Sequence, residues 1–420
     1  MKKMSRFNRL AALAALGLTA MTSACVCQSK PAPAPAPAPA KKAAAVLPEQ
    51  KQLFLPEKLY AVPGIECNLY FRNIFLTINH ANYIFDVDCK AGRQDVKRWR
   101  FTPVAADAGK TFPLTVKVYD KNGLVAVGRT TVHVAPADAG KDRPLSILVV
   151  GDSLTNATVY PTRLHTLCKQ PGNPKLTMIG SHRGGGRPTV PGGVAHEGYG
   201  GWTWNSFMTR WVDESTIKNP TLVKKFYAKS KFLNLKNGKP VFDLANYLKK
   251  YNNGKTPDVI TFQLGVNDVF SAEDKNLDQR IKSILANADK LIAAFRKEAP
   301  NALIGVGYVT PGANQDAFGT NYKCGQTAWG YYRNHFRLNQ AMAKHFAKYK
   351  DAKLVMIPSN VGLDTENNFP TRKEPVNSQN KTVISRQSNG VHPAAIGYNQ
   401  MGDTYFAWLK NQLAAPAKKK

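Results

Sequence analysis

The hydrophobic pattern divides the chain into two parts with different periods. From residue 48 to 137, short apolar and aromatic runs alternate with polar breaks, as at Leu69–Phe71 and Thr131–Val134. Short strands at this spacing are typical of a small β-sandwich. Between two of the runs, Lys121–Gly123 is a turn signal. We therefore predict an all-β sandwich domain over residues 48–137.

From residue 145 onward, continuous apolar runs replace the alternating ones. These runs are residues 146–150, 259–264, 303–308 and 354–357. Continuous runs indicate strands that are buried on both faces, as in a parallel sheet. Helical patterns lie between and after them, at residues 277–297, 331–348 and 394–413. This alternation predicts a three-layer α/β/α sandwich with a parallel sheet over residues 143–415, preceded by the small all-β sandwich domain.

The first 47 residues are typical of an export signal and a spacer rather than of a folded domain. Basic residues precede an apolar run at Leu10–Met21, and small residues then lead to Cys25. This layout predicts a signal peptide over residues 1–24 and lipidation of Cys25 as the first mature residue. The alternative is ordinary signal cleavage, with Cys25 incidental. Residues 25–47 contain a Pro-Ala run that acts as a semi-rigid linker.

We therefore expect an exported bacterial lipoprotein, periplasmic or at the cell surface, that is held to the membrane by its N-terminal anchor. An oxidising compartment permits disulfides. Cys67 and Cys89 are the plausible pair within one predicted domain, and Cys168 with Cys324 is a second pairing. The cysteines and histidines show no zinc spacing, so we expect no metal and no cofactor.

The chain carries a formal net charge of +30. Part of the excess is local, because the segment from Lys218 to Lys255 contains ten lysines and one acidic residue, Asp243. One interpretation is a solvated lysine-rich face. The other is attraction to an anionic partner such as an acidic polysaccharide or anionic lipid. We find no nucleic-acid-binding motif, so we do not expect nucleic acid as a partner.

Three polar motifs lie at the positions where an open α/β sheet gathers its ligands. Gly151–Leu154 follows the first continuous strand, Leu264–Asp268 ends the next, and Asn389–Pro393 precedes the last helix. Ligand sites in such sheets lie at the carboxyl ends of the strands. A serine there needs a nearby base to act as a nucleophile. Taken alone, Ser153 could equally cap the helix that follows it.

Together the motifs resemble the conserved blocks of the GDSL/SGNH hydrolases. The segments Gly-Asp-Ser-Leu (151–154), Gly-x-Asn-Asp (265–268) and Gly-Val-His-Pro (390–393) occur in that order. A glycine-bearing segment, residues 197–203, resembles the second block. The resemblance covers residues 145–415 and implies a serine esterase.

The resemblance also assigns roles to individual residues. Ser153 would be the nucleophile and His392 the general base. The oxyanion hole would comprise the backbone N–H of Ser153, the N–H of Gly201 and the side-chain amide of Asn267. Gly200 is the neighbouring alternative to Gly201. The adjacent aspartates, Asp152 and Asp268, are expected to orient loops rather than to react.

One position departs from the family pattern, because Asn389 stands where an aspartate usually precedes the histidine by three residues. Three readings follow. A different acid serves, with Asp364, Glu366 and Glu374 as candidates. Alternatively, Asn389 itself or a main-chain carbonyl orients His392. In the third reading the protein is a weak or inactive relative that binds glycan.

The substrate expectation is the removal of O-acetyl groups from a carbohydrate, an acidic one if the positive charge takes part. Trp202 and Trp204 follow the second-block glycine, and they either stack on a sugar ring or pack in the core. His196 and Glu197 either reach the cleft or fix its loop. A lipase-type activity and a glycan-binding protein without activity are the rival functions.

Overall fold

The computed structural model describes residues 52–218, 227–321 and 325–414. The predicted signal peptide, the Cys25 lipidation site and the whole of the Pro/Ala linker lie outside the described residues, as does Cys324. The described residues all belong to one compact unit.

The described strands and α-helices have the following bounds. The strands are β1 Lys58–Ala61, β2 Cys67–Tyr70, β3 Ile84–Cys89, β4 Arg93–Gln94, β5 Arg98–Phe101, β6 Thr111–Asp120, β7 Gly123–Val134, β8 Pro144–Gly151, β9 Lys175–Ile179, β10 Glu197–Gly198, β11 Leu233–Lys236, β12 Lys239–Phe242, β13 Val259–Gln263, β14 Leu303–Gly307, β15 Leu354–Ile357, β16 Thr371–Pro375 and β17 Val383–Gln387. The α-helices are α1 Phe71–Ile74, α2 Ser153–Asn156, α3 Val159–Cys168, α4 Ser206–Thr209, α5 Leu244–Tyr251, α6 Val266–Val269, α7 Leu277–Glu298, α8 Phe318–Asn321, α9 Ala328–Phe346 and α10 Ala395–Leu413.

The N-terminal part consists of two small sheets. One has the order β1-β7-β6-β3, in which β1 pairs with β7 in parallel and the other pairs are antiparallel. The other sheet has the order β2-β5-β4 and is antiparallel. Side chains from both sheets, such as Val116 and Trp99, share one hydrophobic cluster. The structure thus confirms a β-rich N-terminal part, whereas a separate β-sandwich domain stays a prediction.

This β-rich part packs directly against the rest of the chain. Phe54 and Tyr60 belong to the large hydrophobic cluster of the α/β part. The buried Asn73 amide donates to the carbonyls of Val361, at 3.2 Å, and Leu363, at 2.8 Å. The contacts therefore cross the boundary that we predicted between residues 137 and 143.

The central sheet is parallel, as the continuous apolar runs predict. Its strand order is β10-β8-β13-β14-β15, and β9 also pairs with β8. The register places Phe262 opposite Val150 and Gln263 opposite Gly151, so β8 and β13 end at the same edge. All five residues of β13 are buried.

Helices cover both faces of this sheet. On β14, a Cβ placed on Gly305 would lie 2.7 Å from the Trp408 ring of α10, so that helix packs closely on this face. Phe262 points to the opposite face, where its ring lies 5.2 Å from the ring of Phe295 in α7. The mixed α/β fold with a parallel sheet is therefore confirmed.

The described cysteines correct one prediction. Cys67, Cys89 and Cys168 are free thiols, so the structure does not contain the Cys67–Cys89 bond that we expected. Cys67 lies on β2 and Cys89 on β3, and both pack beside the same hydrophobic cluster. Burial raises the pKa of Cys67 to about 12, which keeps this thiol protonated. Within the ranges that the structure describes, no helix is long and apolar enough to cross a membrane.

Candidate active site

Ser153 lies at the carboxyl end of β8, where the strand turns directly into α2. The turn requires a glycine at position 151, because a Cβ there would lie 1.9 Å from Thr155 Oγ1 and 2.9 Å from the Gln263 carbonyl oxygen. Asp152 caps the helix, with its Oδ1 accepting the Leu154 N–H at 2.9 Å. The turn therefore presents a half-buried Ser153 hydroxyl at the edge of the sheet.

The structure brings His392 to Ser153 although 239 positions separate them in sequence. The distance between Ser153 Oγ and His392 Nε2 is 2.8 Å. His392 lies on the loop between β17 and α10. Burial lowers the pKa of its imidazole below the usual 6.5, so the ring is neutral at pH 7. A neutral imidazole that is hydrogen-bonded to a serine hydroxyl is the geometry required of a general base.

Asn389 organises the loop that holds this histidine. Its Oδ1 accepts the backbone N–H groups of Val391, at 3.1 Å, and His392, at 2.9 Å. The same oxygen lies 3.3 Å from His392 Nδ1. An amide oxygen only accepts, so this contact fits an imidazole protonated on Nδ1, which would leave Nε2 to accept the proton of Ser153.

The three alternative acids are bound elsewhere. Asp364 Oδ1 accepts the backbone N–H groups of Glu366 and Asn367 at 2.9 and 3.0 Å. Glu366 pairs with Lys97 at 2.5 Å. Glu374 lies between Arg372, at 2.7 Å, and Arg386, at 2.9 Å. These contacts leave the reading in which Asn389 itself or a main-chain carbonyl orients His392, and Asn389 Oδ1 lies within 3.3 Å of the ring.

The predicted oxyanion donors lie on two loops that are joined by a hydrogen bond. The Asn267 amide donates to the Trp202 carbonyl at 2.9 Å, which links it to the turn at Gly201. Gly201 is exposed and has a φ of +77°, a conformation that favours glycine. Over the described part of the chain, neither the Ser153 nor the Gly201 N–H has a protein acceptor. Both are therefore available to a ligand.

Asp152 and Asp268 hold the backbone around the site through hydrogen bonds. Asp268 Oδ1 accepts the Trp204 N–H at 3.2 Å, and Asp152 caps α2 as described above. Burial raises the pKa of each carboxyl to about 7, and the nearby Asp268 carboxylate raises the pKa of Asp152 further by charge repulsion. Their contacts are with backbone groups, which agrees with the loop-orienting role expected from the sequence.

Trp202 and Trp204 are core residues, which corrects the interpretation that they bind sugar. Their side chains are 1% and 0% exposed. Trp202 stacks on Tyr199 with ring centroids 4.0 Å apart, and Trp204 packs against Phe262. An indole buried in this way cannot form an exposed platform for a sugar ring. Trp202 and Trp204 therefore pack under the Gly201 turn.

A buried polar cluster holds the loop that leads to Gly201. Glu197 is fully buried and accepts hydrogen bonds from the Ser181 hydroxyl at 2.9 Å, from the Tyr247 hydroxyl at 2.7 Å and from the Tyr199 hydroxyl. His196 Nδ1 accepts the Gly198 N–H at 3.1 Å. Burial lowers the pKa of His196 to about 3. His196 and Glu197 therefore fix the loop, which is one of the two roles left open by the sequence.

Gln387 is a residue of the site that sequence analysis missed. It lies at the end of β17, two positions before Asn389. Its amide donates to the carbonyls of Thr365 and Glu366, both at 2.8 Å, and its Oε1 accepts the Asn314 N–H at 2.6 Å. A buried glutamine in an otherwise exposed hairpin becomes visible only once burial is known.

The fold and the site together define a class: an α/β protein with a hydrogen-bonded serine–histidine pair at the carboxyl end of a parallel sheet. Within residues 52–218, 227–321 and 325–414, no group of three or more His, Cys, Asp or Glu side chains is arranged to hold a metal ion.

Comparison with known proteins finds similarity at the level of solved structures alone. No protein-family model matches the chain, and no curated protein matches it. A family 3 carbohydrate esterase of Clostridium thermocellum is 18% identical, with a TM-score of 0.36, and the match covers 65% of this chain and 100% of that one. A family 3 carbohydrate esterase from Talaromyces cellulolyticus is 16% identical, with a TM-score of 0.35, and the match covers 64% of this chain and 98% of that one.

An acetyl xylan esterase from Butyrivibrio proteoclasticus is 12% identical, with a TM-score of 0.32, and the match covers 76% of this chain and 74% of that one. These proteins are described as esterases, the broad class of hydrolase that the sequence motifs also resemble. The identities and TM-scores are too low for any residue role or substrate to be transferred from them.

Proposed function

We propose that the chain is a serine ester hydrolase that removes O-acetyl groups from carbohydrate through an acyl-serine intermediate. The single observation that carries the proposal is the 2.8 Å hydrogen bond between Ser153 Oγ and His392 Nε2. The position of Ser153 at the end of a buried parallel strand supports it, because ligands of open α/β sheets bind at that edge.

The reaction proceeds in two halves. In the first, Ser153 Oγ attacks the ester carbonyl carbon while His392 Nε2 takes the hydroxyl proton, which gives a tetrahedral oxyanion and an imidazolium. The C–O bond to the sugar then breaks, and the imidazolium returns the proton to the departing sugar hydroxyl. In the second half, His392 takes a proton from water, the hydroxide attacks the acetyl-serine, and acetate leaves as Ser153 recovers its proton.

The negative charge that develops on the substrate oxygen needs donors that are already in place. The N–H groups of Ser153 and Gly201 have no acceptor within the protein among the described residues. The Asn267 amide has two N–H bonds, of which one satisfies Trp202, so the other is left for the oxyanion. Three neutral donors stabilise an anion without carrying a counter-charge that would hold the product acetate.

The imidazolium that forms on His392 is stabilised less strongly than in an enzyme with a carboxylate beside its histidine. Asn389 accepts the Nδ1–H of His392 and so sets the tautomer, but it adds no negative charge beside the imidazolium. We therefore propose a working Ser153–His392 dyad oriented by Asn389, with a lower turnover than an aspartate would give. The rival proposal of a glycan-binding protein without activity rests on the same asparagine.

Replacement of Ser153 by Ala tests the reaction. The measurement is acetate release from p-nitrophenyl acetate and from a panel of acetylated glycans, with mass spectrometry of the protein after treatment with a fluorophosphonate. The native chain should release acetate and gain one phosphonyl group on Ser153, and the Ser153→Ala variant should do neither. Ser146→Ala is not a suitable control, because Ser146 hydrogen-bonds Asp258 at 2.7 Å. Ser378→Ala is suitable, because Ser378 is exposed. Activity that survives in Ser153→Ala would refute the proposal.

The chain length of the acyl group separates the rival functions. Hydrolysis that increases from acetyl to long-chain esters would favour the lipase-type reading. Binding of glycan with no hydrolysis of any ester would favour the inactive relative.

We also propose that the protein is an exported lipoprotein anchored through Cys25. The proposal rests on the N-terminal pattern alone. Incorporation of labelled palmitate into the native chain, and its loss in Cys25→Ala but not in Cys27→Ala, would support it. If both variants released an unlipidated chain, the proposal would be overturned.

A further inference from the structure

A second cavity, separate from the serine–histidine pair, lies between the β-rich part and the α/β part. Its volume is about 1140 Å³, slightly above the range of about 300–1000 Å³ that is usual for small-molecule sites. Residues between Tyr70 and Arg98 form one wall, and Gln315, the start of α9 and residues 364–367 form the other. A single sugar ring would leave most of this space empty, so the cavity suits a chain of several rings.

Exposed aromatic surface lines this cavity. Trp329, at the start of α9, is 38% exposed, in contrast to the buried Trp202 and Trp204. Its ring lies edge-on to Tyr332, with the centroids 6.1 Å apart. The Tyr332 hydroxyl donates to the Arg72 carbonyl at 2.6 Å, which holds that ring in place. A partly exposed indole on a fixed support is a suitable surface for the apolar face of a sugar ring.

The charges on the cavity wall cancel, unlike those of the whole chain. The wall contains three basic side chains and three acidic ones: Arg72, Lys97, Arg98, Asp95, Asp364 and Glu366. Lys97 pairs with Glu366 at 2.5 Å, and Arg98 pairs with Asp95 at 3.5 Å. A paired wall gives no net attraction for a polyanion, and it offers many donors and acceptors to hydroxyl groups.

The cavity is joined to the histidine loop by Gln387. Its amide donates to the carbonyls of Thr365 and Glu366 on the cavity wall, and Asn389 follows two positions later. On the other side, the Ala313 N–H donates to the Gly390 carbonyl at 2.9 Å, and Gln315 begins the opposite stretch of wall. One short stretch of chain on each side thus connects the cavity wall to the loop that carries His392.

We propose that this cavity binds the uncharged backbone of the glycan substrate, with Trp329 as the stacking surface. The inference rests on the proposed function for the link to ester hydrolysis, but glycan binding itself does not require that function. It places substrate selection in the groove between the two parts of the chain. It also favours a neutral glycan over the acidic one that the net charge of +30 suggested.

Binding is tested in the full chain carrying Ser153→Ala, so that hydrolysis does not interfere. Titration calorimetry would use xylohexaose and cellohexaose as neutral probes and a galacturonic acid hexamer as the acidic probe. We expect a neutral hexamer to bind and Trp329→Ala to weaken it roughly tenfold or more, with Trp329→Phe in between. Val104→Ala is the matched control, because Val104 is 62% exposed on the β-rich part and lies outside the cavity wall.

A kinetic measurement links the cavity to the reaction. Trp329→Ala in the otherwise native chain should reduce by roughly tenfold the ratio of kcat/KM for acetylated xylohexaose to kcat/KM for p-nitrophenyl acetate. Equal hexamer affinity with and without Trp329, tighter binding of the acidic hexamer, or no binding of either neutral hexamer would overturn the proposal. Glycan binding that depends on Trp329, with no ester hydrolysis, would instead refute the proposed function and leave this inference standing.

Discussion

The sharpest prediction concerns Asn389, where the residue itself departs from the family pattern. Its Oδ1 is placed to accept three hydrogen bonds, from the backbone N–H groups of Val391 and His392 and from Nδ1 of the His392 ring. We expect Asn389→Ala to lower kcat about fivefold, since the lost ring hydrogen bond is worth about 1 kcal/mol. The two unpaired backbone donors should lower the free energy of unfolding by about 1–2 kcal/mol.

Asn389→Asp should have the opposite effect on activity. A serine protease loses about 10⁴ in turnover when its aspartate becomes asparagine, in that case because the wrong tautomer forms. Here Asn389 already sets the right tautomer, so a carboxylate adds only its charge. A charged hydrogen bond exceeds a neutral one by about 1–1.5 kcal/mol, which predicts a rise in kcat of about tenfold. The charge should also raise the pKa of His392 and move the acid limb of activity to higher pH.

The assay is kcat on p-nitrophenyl acetate over a range of pH, with chemical denaturation for stability. Asn377→Ala is the matched control, because Asn377 Oδ1 accepts the N–H groups of Gln379 and Asn380 in the same kind of turn but on an exposed loop. The control should leave kcat unchanged. If Asn389→Ala kept full activity, or if Asn389→Asp changed neither kcat nor the pH profile, Asn389 would not orient the base.

Three further predictions concern the donors, the pH profile and the core. Asn267→Ala should lower kcat by about 10²–10³ and the free energy of unfolding by only about 1 kcal/mol, for the lost bond to Trp202, and a fall in kcat below tenfold would remove Asn267 from the oxyanion hole. Because burial lowers the pKa of His392, kcat/KM should fall with decreasing pH only below 6.5; a midpoint above 6.5 would contradict the burial argument. Trp204→Ala should lower the free energy of unfolding by about 3–5 kcal/mol, as befits a fully buried indole, and a near-neutral effect would show that it is not core.

Much of the site could be predicted because its chemistry is encoded locally. Gly151 is required by the turn itself, and Ser153 follows a strand whose continuous apolar run shows that it is buried. The same reasoning placed Asn267 at the end of β13. These are statements about single segments, and each segment carries its own hydrophobic pattern.

Other features depended on contacts between distant segments. The pattern of Trp202 and Trp204 is the same whether they stack on sugar or pack in the core, and only burial distinguishes the two. The choice of Asn389 over Asp364 or Glu366 required the hydrogen-bond partners of each group. The free thiol of Cys67 is likewise a property that the spacing of the cysteines in the sequence does not give.

The sequence by itself determined the period of each segment, the turn chemistry at Gly151 and the order of the polar motifs. Those properties follow from neighbouring residues, since burial on both faces of a strand and the steric limits of a turn are local requirements. Only the tertiary structure decided the 2.8 Å contact between Ser153 and His392 and the cavity beside Trp329. Both are formed by segments far apart in the chain, and their meeting depends on how the sheet and the β-rich part pack together.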